Sequence, residues 1–228
     1  MTLHVPDLTS DVQTNARLKR AETEPSGLYR KTFKRLIDLT LVLLSAPVVV
    51  PLIALLAVLV ALLTGGKPFY SQQRVGRGGT PFRMWKLRTM VKNADTELEN
   101  YLQSSPAARA EWDSTQKLKQ DPRITAFGRL LRKTSMDELP QFFNVFNGTM
   151  SLVGPRPMMV GQEKYYHGHV YYDLRPGITG FWQVSDRNEC RFEDRVTYDN
   201  AYNDALSLKT DMHLLGQTVG VVLRATGH

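Results

Sequence analysis

From Leu39 to Gly66 no position carries a charge, and Leu41 to Leu63 is almost wholly aliphatic. That length reaches the roughly 20 residues a membrane-spanning helix requires. Pro47 and Pro51 stand near its middle, one helical turn apart. Each lacks an amide proton and crowds the carbonyl four residues back, here those of Leu43 and Pro47. A straight helix is therefore disfavoured, and the arm from Leu52 to Leu63 would rise only about 18 Å against a hydrocarbon core of about 30 Å. Arg30, Lys31, Lys34 and Arg35 precede the stretch, and Lys67, Arg74 and Arg77 follow it. Positive charge on both flanks places both ends on the cytoplasmic side. The pattern predicts a helix–break–helix hairpin over 31–66 that enters one leaflet and returns, with the Ser45 hydroxyl meeting carbonyls that the prolines free. A proline-kinked spanning helix and a buried core helix are the alternatives that hydropathy also allows.

Beyond Lys67 the periods shorten. Phe69 to Arg74 and Pro81 to Met90 read as two strands joined by the turn Gly76-Arg77-Gly78-Gly79. In the second, period two sets Lys86 and Arg88 on one face beyond Phe82 and Met84, with Trp85 and Leu87 opposite to pack. Cations on one strand face suit an anion, and a half-exposed strand reads the same way. Helical sequence runs from Ala94 to about Lys119, with Trp112 on an otherwise polar surface. Asp121-Pro122-Arg123 breaks it, and Thr125 is a candidate N-cap for a basic helix ending at Lys133. A further helix begins at Asp137-Glu138 and closes at Gly148. Late in the chain Leu208, Met212, Leu215, Val219 and Val222 recur in steps of four and three. That stripe makes an amphipathic helix, which either lies on a membrane or closes the core.

The fold class that follows is α+β and mainly helical: a monotopic membrane domain with a proline-broken re-entrant helix hairpin, a small β-hairpin and surface amphipathic helices. Three regions divide the chain: a flexible polar tail over 1–30, the membrane hairpin over 31–66, and a cytoplasmic domain over 67–228 ending in the amphipathic helix. The 228 residues suffice for one core of ordinary size. Twenty-nine Lys and Arg against 22 Asp and Glu leave a net charge of +7, which suits membrane lipids or an anionic substrate. Nucleic acid is not indicated, since there is no zinc-finger spacing, no RNA-binding aromatic signature and no long basic helix. The single Cys190 excludes an internal disulfide and agrees with a reducing compartment. Met1 to Gly27 lacks the apolar run of a signal peptide.

Candidate chemistry concentrates in Ser135-Met136-Asp137-Glu138-Leu139-Pro140-Gln141, followed by Gly154-Pro155-Arg156-Pro157. Two adjacent acids can hold a divalent metal or supply a nucleophile, and Arg156, fixed between prolines, presents a planar fork to phosphate oxygens. The same acids also fit a structural role: Ser135 and Glu138 match a capping box, and Asp137 is a good N-cap. Other motifs fail. Gly65-Gly66-Lys67 precedes Pro68 and lacks the upstream glycine of a phosphate-binding loop. Gly76 to Gly79 sits in a hairpin rather than before a helix. His167-Gly168-His169 lacks companions for a metal site.

Taken in order, the motifs resemble a known family. They begin with Lys34-Arg35-x-x-Asp38, the proline-containing apolar stretch, Gln73-Arg74-x-Gly76 and Phe82-x-x-x-Lys86-x-Arg88-x-Met90. Asp121-Pro122-Arg123, Gly128-Arg129-x-x-Arg132-Lys133 and Asp137-Glu138-Leu139-Pro140-Gln141 continue the series. Gly154-Pro155-Arg156-Pro157, Arg175-Pro176-Gly177-Ile178-Thr179-Gly180 and Asp211 complete it. The series is similar to bacterial sugar transferases of the monotopic phosphoglycosyl transferase class, over roughly Lys31 to Arg224. Two positions depart: the family's Ser-Pro break stands here as Val50-Pro51, and its Ser-Gly-Arg as Ser185-Asp186-Arg187.

The resemblance implies transfer of a hexose 1-phosphate, galactose or glucose, from a UDP-hexose to undecaprenyl phosphate, with release of UMP. It implies Mg²⁺ between the donor diphosphate and the Asp137 and Glu138 carboxylates, and Asp137 as the nucleophile that carries the phosphosugar. It implies Arg156 as the foremost phosphate ligand. Arg74, Lys86, Arg88 and Arg132 follow, for each of which a structural salt bridge is the alternative. Asp211 matches a family position and could equally serve folding. The expected place is the cytoplasmic face of a bacterial inner membrane, at the first membrane step of exopolysaccharide or O-antigen synthesis. A non-catalytic membrane scaffold binding anionic lipids is the competing reading, and a homo-oligomer is left open.

Overall fold

A computed structural model describes residues 26–115, 118–185 and 192–223. Most of the expected polar tail, Cys190, and the departure at Asp186 and Arg187 lie outside the described residues. The described chain is mostly helical, with two small sheets.

After a short π-helical turn at Tyr29–Phe33, helix α1 runs from Lys34 to Thr64. Helical backbone continues through Pro47 and Pro51, where a break was expected. A proline inside a helix removes one hydrogen bond and can bend the axis without unwinding it. The Ser45 hydroxyl donates to the Val42 carbonyl at 3.0 Å, one residue before the first carbonyl that Pro47 frees. Tyr29–Thr64 is the one helix among the described residues long and apolar enough to cross a membrane, its most apolar 18 residues having a mean hydropathy of 2.9. Leu44, Val48 and Leu62 each leave more than 70% of their surface exposed. Apolar surface so extensive on one helix is unstable against water and matches lipid.

Two strands follow, β1 (Phe69–Val75) and β2 (Pro81–Leu87), paired across a turn in which Gly78 and Gly79 both take positive φ. Alternate residues Phe82 and Met84 of β2 are buried, and Leu87 is buried as well, whereas Trp85 keeps 37% of its surface exposed. Two helices, α2 (Ala94–Ser104) and α3 (Pro106–Thr115), replace the single expected helix. Pro106 supplies the reason, because it disfavours helical backbone at Ser105. Helix α4 (Ala126–Lys133) leads into a 3₁₀ turn at Met136–Glu138 and then α5 (Gln141–Phe146), after which Gly148 takes a φ of 87°. Strands β3 (Ser151–Val153) and β4 (Gly177–Thr179) pair in parallel, Ser151 with Gly177 and Val153 with Thr179. Short helices α6 (Val170–Asp173) and α7 (Phe181–Val184) flank β4, and α8 (Arg195–Asp204) and α9 (Leu208–Leu223) close the described chain.

Contacts divide the chain into two compact units. The first is drawn from Met1–Ser45, Gln72–Met84 and Gln141–Val221, and the second from Ala46–Ser71, Trp85–Pro140 and Val222–His228. In the first unit Val145, Met150, Val153 and Leu214 are essentially sealed from solvent, with Val42, Phe82 and Met84 in the same cluster. In the second, Leu56, Ala57 and Val60 of α1 pack with Leu87 and Leu131.

The predicted stripe of α9 is divided, with Leu215 packed against the core cluster of the first unit. Asp211 and Leu214 point inward, while Leu208, Met212 and Val219 are exposed at 46–59%. Leu208, Met212 and Val219 are thus left on the surface, an apolar row of the kind a bilayer interface takes.

Candidate functional site

In the second unit, Gly128 decides how closely α4 can lie on the end of the β-hairpin segment. A Cβ at Gly128 would stand 2.0 Å from the Thr89 carbonyl oxygen, well inside contact distance. Thr125 caps α4, as expected: its hydroxyl accepts from the Gly128 amide at 2.9 Å, and its own amide donates to Thr89 O at 3.1 Å. This close approach lets the Arg132 Nε donate to the Thr89 hydroxyl at 2.9 Å. The guanidinium of Arg132 is thereby held near both Asp137 and Asp121. Asp121 itself is clasped by Arg123, Nε to Oδ1 at 2.8 Å and Nη2 to Oδ2 at 2.6 Å, and Trp112 stacks under that guanidinium at 5.1 Å.

Ser135 has φ 56° and ψ 16°, the single described non-glycine residue with positive φ, and its side chain makes no capping bond. The capping box is thus not formed, and Asp137 lies inside the 3₁₀ turn instead of capping a helix. Left-handed backbone costs a serine about 1–2 kcal/mol, and such strain persists where surrounding packing imposes it. Met136 and Leu139, on either side of the acids, pack against the apolar cluster of this unit.

Asp137 and Glu138 face one cation. Lys86 Nζ lies 2.7 Å from Glu138 Oε1 and 3.6 Å from Asp137 Oδ2, with the side chain of Asp137 only 9% exposed and that of Glu138 25%. Burial pushes the Asp137 carboxyl above the ordinary carboxylate range and the neighbouring Glu138 adds to this, while Lys86 and Arg132 pull it back. Two hard oxygen donors in a partly desolvated corner fit Mg²⁺, which commonly takes one or two carboxylates and fills its other positions with water and substrate phosphate. Among the described residues no group of three or more His, Cys, Asp or Glu could hold a metal, and His167 and His169 are exposed singly.

Arg88 is placed elsewhere. Its Nη2 donates to the Thr64 hydroxyl at 2.6 Å and reaches the Thr64 carbonyl at 3.4 Å, so it caps the C-terminal end of α1.

Arg74, Arg156 and Asp211 belong to the first unit. Here β3 and β4 cross the Gly154 segment very closely: a Cβ on Gly177 would stand 2.1 Å from Gly154 N, and one on Gly180 2.2 Å from Gly154 O. That packing explains why Gly-Pro-Arg-Pro and Arg-Pro-Gly-Ile-Thr-Gly occur as a pair. Arg74 supports the same segment, donating to Pro157 O at 3.2 Å and to Gln72 Oε1 at 2.7 Å. Arg156 lies over the ring of Trp182 at 5.3 Å, and Arg195 lies over that ring at 4.6 Å. Asp211 accepts from Lys34 at 2.6 Å, Tyr29 at 2.7 Å and Tyr202 at 2.8 Å. These three bonds tie α9 to the start of α1 and to α8.

Sequence reading did not single out Thr89, Trp182, Arg195 or Asp199. Trp182 closely follows the Arg-Pro-Gly-Ile-Thr-Gly motif, and that proximity is the signal that points to it. Arg195 and Asp199 stand among ordinary helical charges and gave none.

Asp199 is buried, accepts from the Tyr166 hydroxyl at 3.0 Å, and has its carboxyl pushed up to about 7 by that burial, against the pull of Tyr166 and Arg195. Its folded value exceeds the roughly 3.9 of an unfolded aspartate, so the fold holds the extra proton between those limits. Stability should therefore fall as pH rises from about 4 to about 7, by an amount on the order of 4 kcal/mol, and then level off. Asp199→Asn should flatten that slope, as melting curves across this range would show; an unchanged slope would contradict it.

The acid pair is partly buried beside a lysine and an arginine, on a chain with one described helix long and apolar enough to cross a membrane. Comparison with known proteins gives the family. The model described as bacterial sugar transferase matches residues 29–225, and the chain belongs to that family. It is 46% identical over 204 residues to a UDP-galactose-lipid carrier transferase of Erwinia amylovora, covering 89% of this chain and 42% of that protein. It is 50% identical over 165 residues to an undecaprenyl-phosphate galactose phosphotransferase of Salmonella typhimurium, covering 72% and 35% respectively. With exopolysaccharide production protein ExoY of Sinorhizobium fredii it shares 40% over 196 residues, 85% of this chain and 87% of that one. The chain thus spans less than half the length of the first two relatives and most of the third.

Proposed function

We propose that this protein transfers a hexose 1-phosphate from a UDP-hexose, galactose before glucose, to undecaprenyl phosphate, releasing UMP in the first membrane step of exopolysaccharide or O-antigen synthesis. One observation carries the reading: Asp137 is buried beside Lys86 and Arg132 in a strained turn, where the backbone amide it meets is its own. A carboxylate kept there at a cost in desolvation, with no capping role, is suited to chemistry. The names of the galactose-transferring relatives support the donor.

In this mechanism an Asp137 oxygen attacks the β-phosphorus of the donor. The bond from that phosphorus to the bridging oxygen breaks, and its electron pair leaves with UMP. The phosphosugar then rests on Asp137 as an acyl phosphate. An oxygen of undecaprenyl phosphate attacks the same phosphorus, and the electron pair of the broken bond returns to the Asp137 carboxylate. A carboxylate needs no base to act as a nucleophile at neutral pH, and the covalent stage divides one hard displacement into two. Lys86 and Arg132 offset charge beside the reacting phosphoryl group, where most phosphoryl-transfer catalysis lies. Asp137 and Glu138 are the residues that would hold Mg²⁺, whose charge would neutralise the donor diphosphate. Arg156 would take a phosphate through its fork, while Arg74 positions the loop that carries it.

The proposed setting is the cytoplasmic face of a bacterial inner membrane, with α1 bent at Pro47 and Pro51 so that both basic flanks stay on one side. Supporting this are the two prolines inside α1, its exposed apolar side chains and the Leu208, Met212 and Val219 stripe. With Cys190 replaced by serine, single cysteines at Lys31 and at Lys67 should both be shielded from an impermeant thiol reagent outside intact cells. Labelling of either one would replace the re-entrant arrangement with a spanning helix.

The activity is tested by UMP release from detergent-purified protein with Mg²⁺, undecaprenyl phosphate and a panel of UDP-sugars. Release with UDP-galactose is the expected result. Binding of anionic lipid with no release from any donor would favour a scaffold instead.

A further inference from the structure

We propose that Arg156, Trp182 and Arg195 form a phosphate-binding site in the first unit, one that takes a phosphate monoester or a diphosphate. The identity of the ligand as a substrate of the transfer rests on the function proposed above; the site itself rests on its geometry.

Trp182 lies on α7, Arg195 opens α8, and Arg156 sits in the proline-fixed loop after β3. Both guanidiniums lie over the Trp182 ring, and Arg195 also lies over Phe192 at 4.4 Å. Stacking holds a guanidinium by its face and leaves its edge donors for a planar or tetrahedral oxyanion. Neither arginine forms an ion pair among the described residues. Two N–H groups here, Arg195 Nε and Trp182 Nε1, are buried without a hydrogen-bond partner among the described residues. Leaving such donors unmet is costly, and buried donors in a native fold ordinarily have a partner.

Charge points the same way. The groups that act on Arg195 are Arg156, Asp199, Arg74 and Tyr171, three cations in all against one acid that already accepts from Tyr166. Burial and the two neighbouring arginines push Arg195 down to about 10. An arriving phosphate would relieve the repulsion and satisfy the unmet donors together. The close glycine packing of Gly154, Gly177 and Gly180 fixes the loop bearing Arg156 and the start of α7 bearing Trp182, so the site is preorganised.

The chain has three tryptophans, so Trp85→Phe with Trp112→Phe leaves Trp182 as the sole indole fluorophore. That protein would be titrated with inorganic phosphate, UDP and undecaprenyl phosphate in detergent. A saturable change in Trp182 emission with at least one of them is expected, weakened about 10- to 100-fold by Arg195→Lys, which keeps the charge but loses the stacked fork. A response to UDP alone would assign the site to the donor diphosphate, and one to undecaprenyl phosphate alone to the acceptor. A response to inorganic phosphate as well would mark a bare anion site. If Arg195→Lys does not fold, Arg156→Lys makes the same comparison. The proposal fails if no ligand perturbs Trp182, or if the lysine variant binds equally well and loses only thermal stability. UMP release persisting without any Trp182 response would retire this site and leave the transferase reading standing. A Trp182 response without UMP release would do the reverse.

Discussion

Asp137→Asn should lower UMP release by at least about 10⁴-fold, because a neutral amide cannot form the acyl phosphate and nucleophile losses in covalent catalysis reach this size. The substitution is nearly isosteric at a site 7% exposed, so packing is conserved. It also removes a charge that burial disfavours, and Lys86 keeps its 2.7 Å partner in Glu138. The variant should therefore melt at or above the wild-type temperature while being inactive. That combination separates a chemical role from a structural one. Incubation with UDP-galactose labelled at the β-phosphorus should leave the label on the wild-type chain when acceptor is withheld, and none on Asp137→Asn. Near-normal turnover by a correctly folded, membrane-extracted Asp137→Asn protein would remove Asp137 from the mechanism.

Much of this site was legible in the sequence because its parts are local. Asp137 and Glu138 are adjacent, Thr125 caps its own helix, and Lys86 shares a strand with the apolar residues whose period predicts its face. What the sequence withheld was the partner of each charge. Arg88, on the same short segment as Lys86, turns to the end of α1 and not to the acids. Nothing in a strand period can distinguish those fates, since both arginine and lysine have long stems and the choice depends on what the fold brings near. The capping reading of Ser135 was equally reasonable on sequence, and the left-handed backbone at that serine is what defeats it. The apolar stripe of α9 marks its helix correctly, but of its described side chains only Leu215 reaches the core. The inward face is set by Asp211 and Leu214, of which the first is a carboxylate that no hydrophobic period would select. Pro47 and Pro51 mark a weak point in α1, yet proline chemistry alone does not say whether the helix bends or stops there.

The second large effect concerns Asp211, whose match to a family position suggests a substrate ligand and which could equally serve folding. Lys34, 177 positions away, binds it at 2.6 Å with side-chain exposures of 12% and 6%, and two tyrosine hydroxyls complete its shell. Asp211→Ala would leave the largely buried Lys34 cation and the half-buried Tyr29 hydroxyl without their acceptor, while the Tyr202 hydroxyl would keep the Val153 carbonyl at 3.2 Å. Breaking a buried pair from one side costs about 3–5 kcal/mol, a large share of the roughly 5–15 kcal/mol that holds an ordinary domain together. The midpoint of thermal unfolding should fall by about 6–20 °C at the 2–4 °C per kcal/mol typical of a chain this size. Removing both partners, with Lys34→Met and Asp211→Leu, should recover much of that loss, because no orphaned charge remains and apolar replacements are often neutral. A ligand role predicts a different pattern: a higher KM for donor or acceptor in Asp211→Ala, little change in melting, and no recovery in the double variant. Lys34 and the two tyrosine hydroxyls already occupy both carboxylate oxygens of Asp211, and on that ground the stability loss is the outcome to expect.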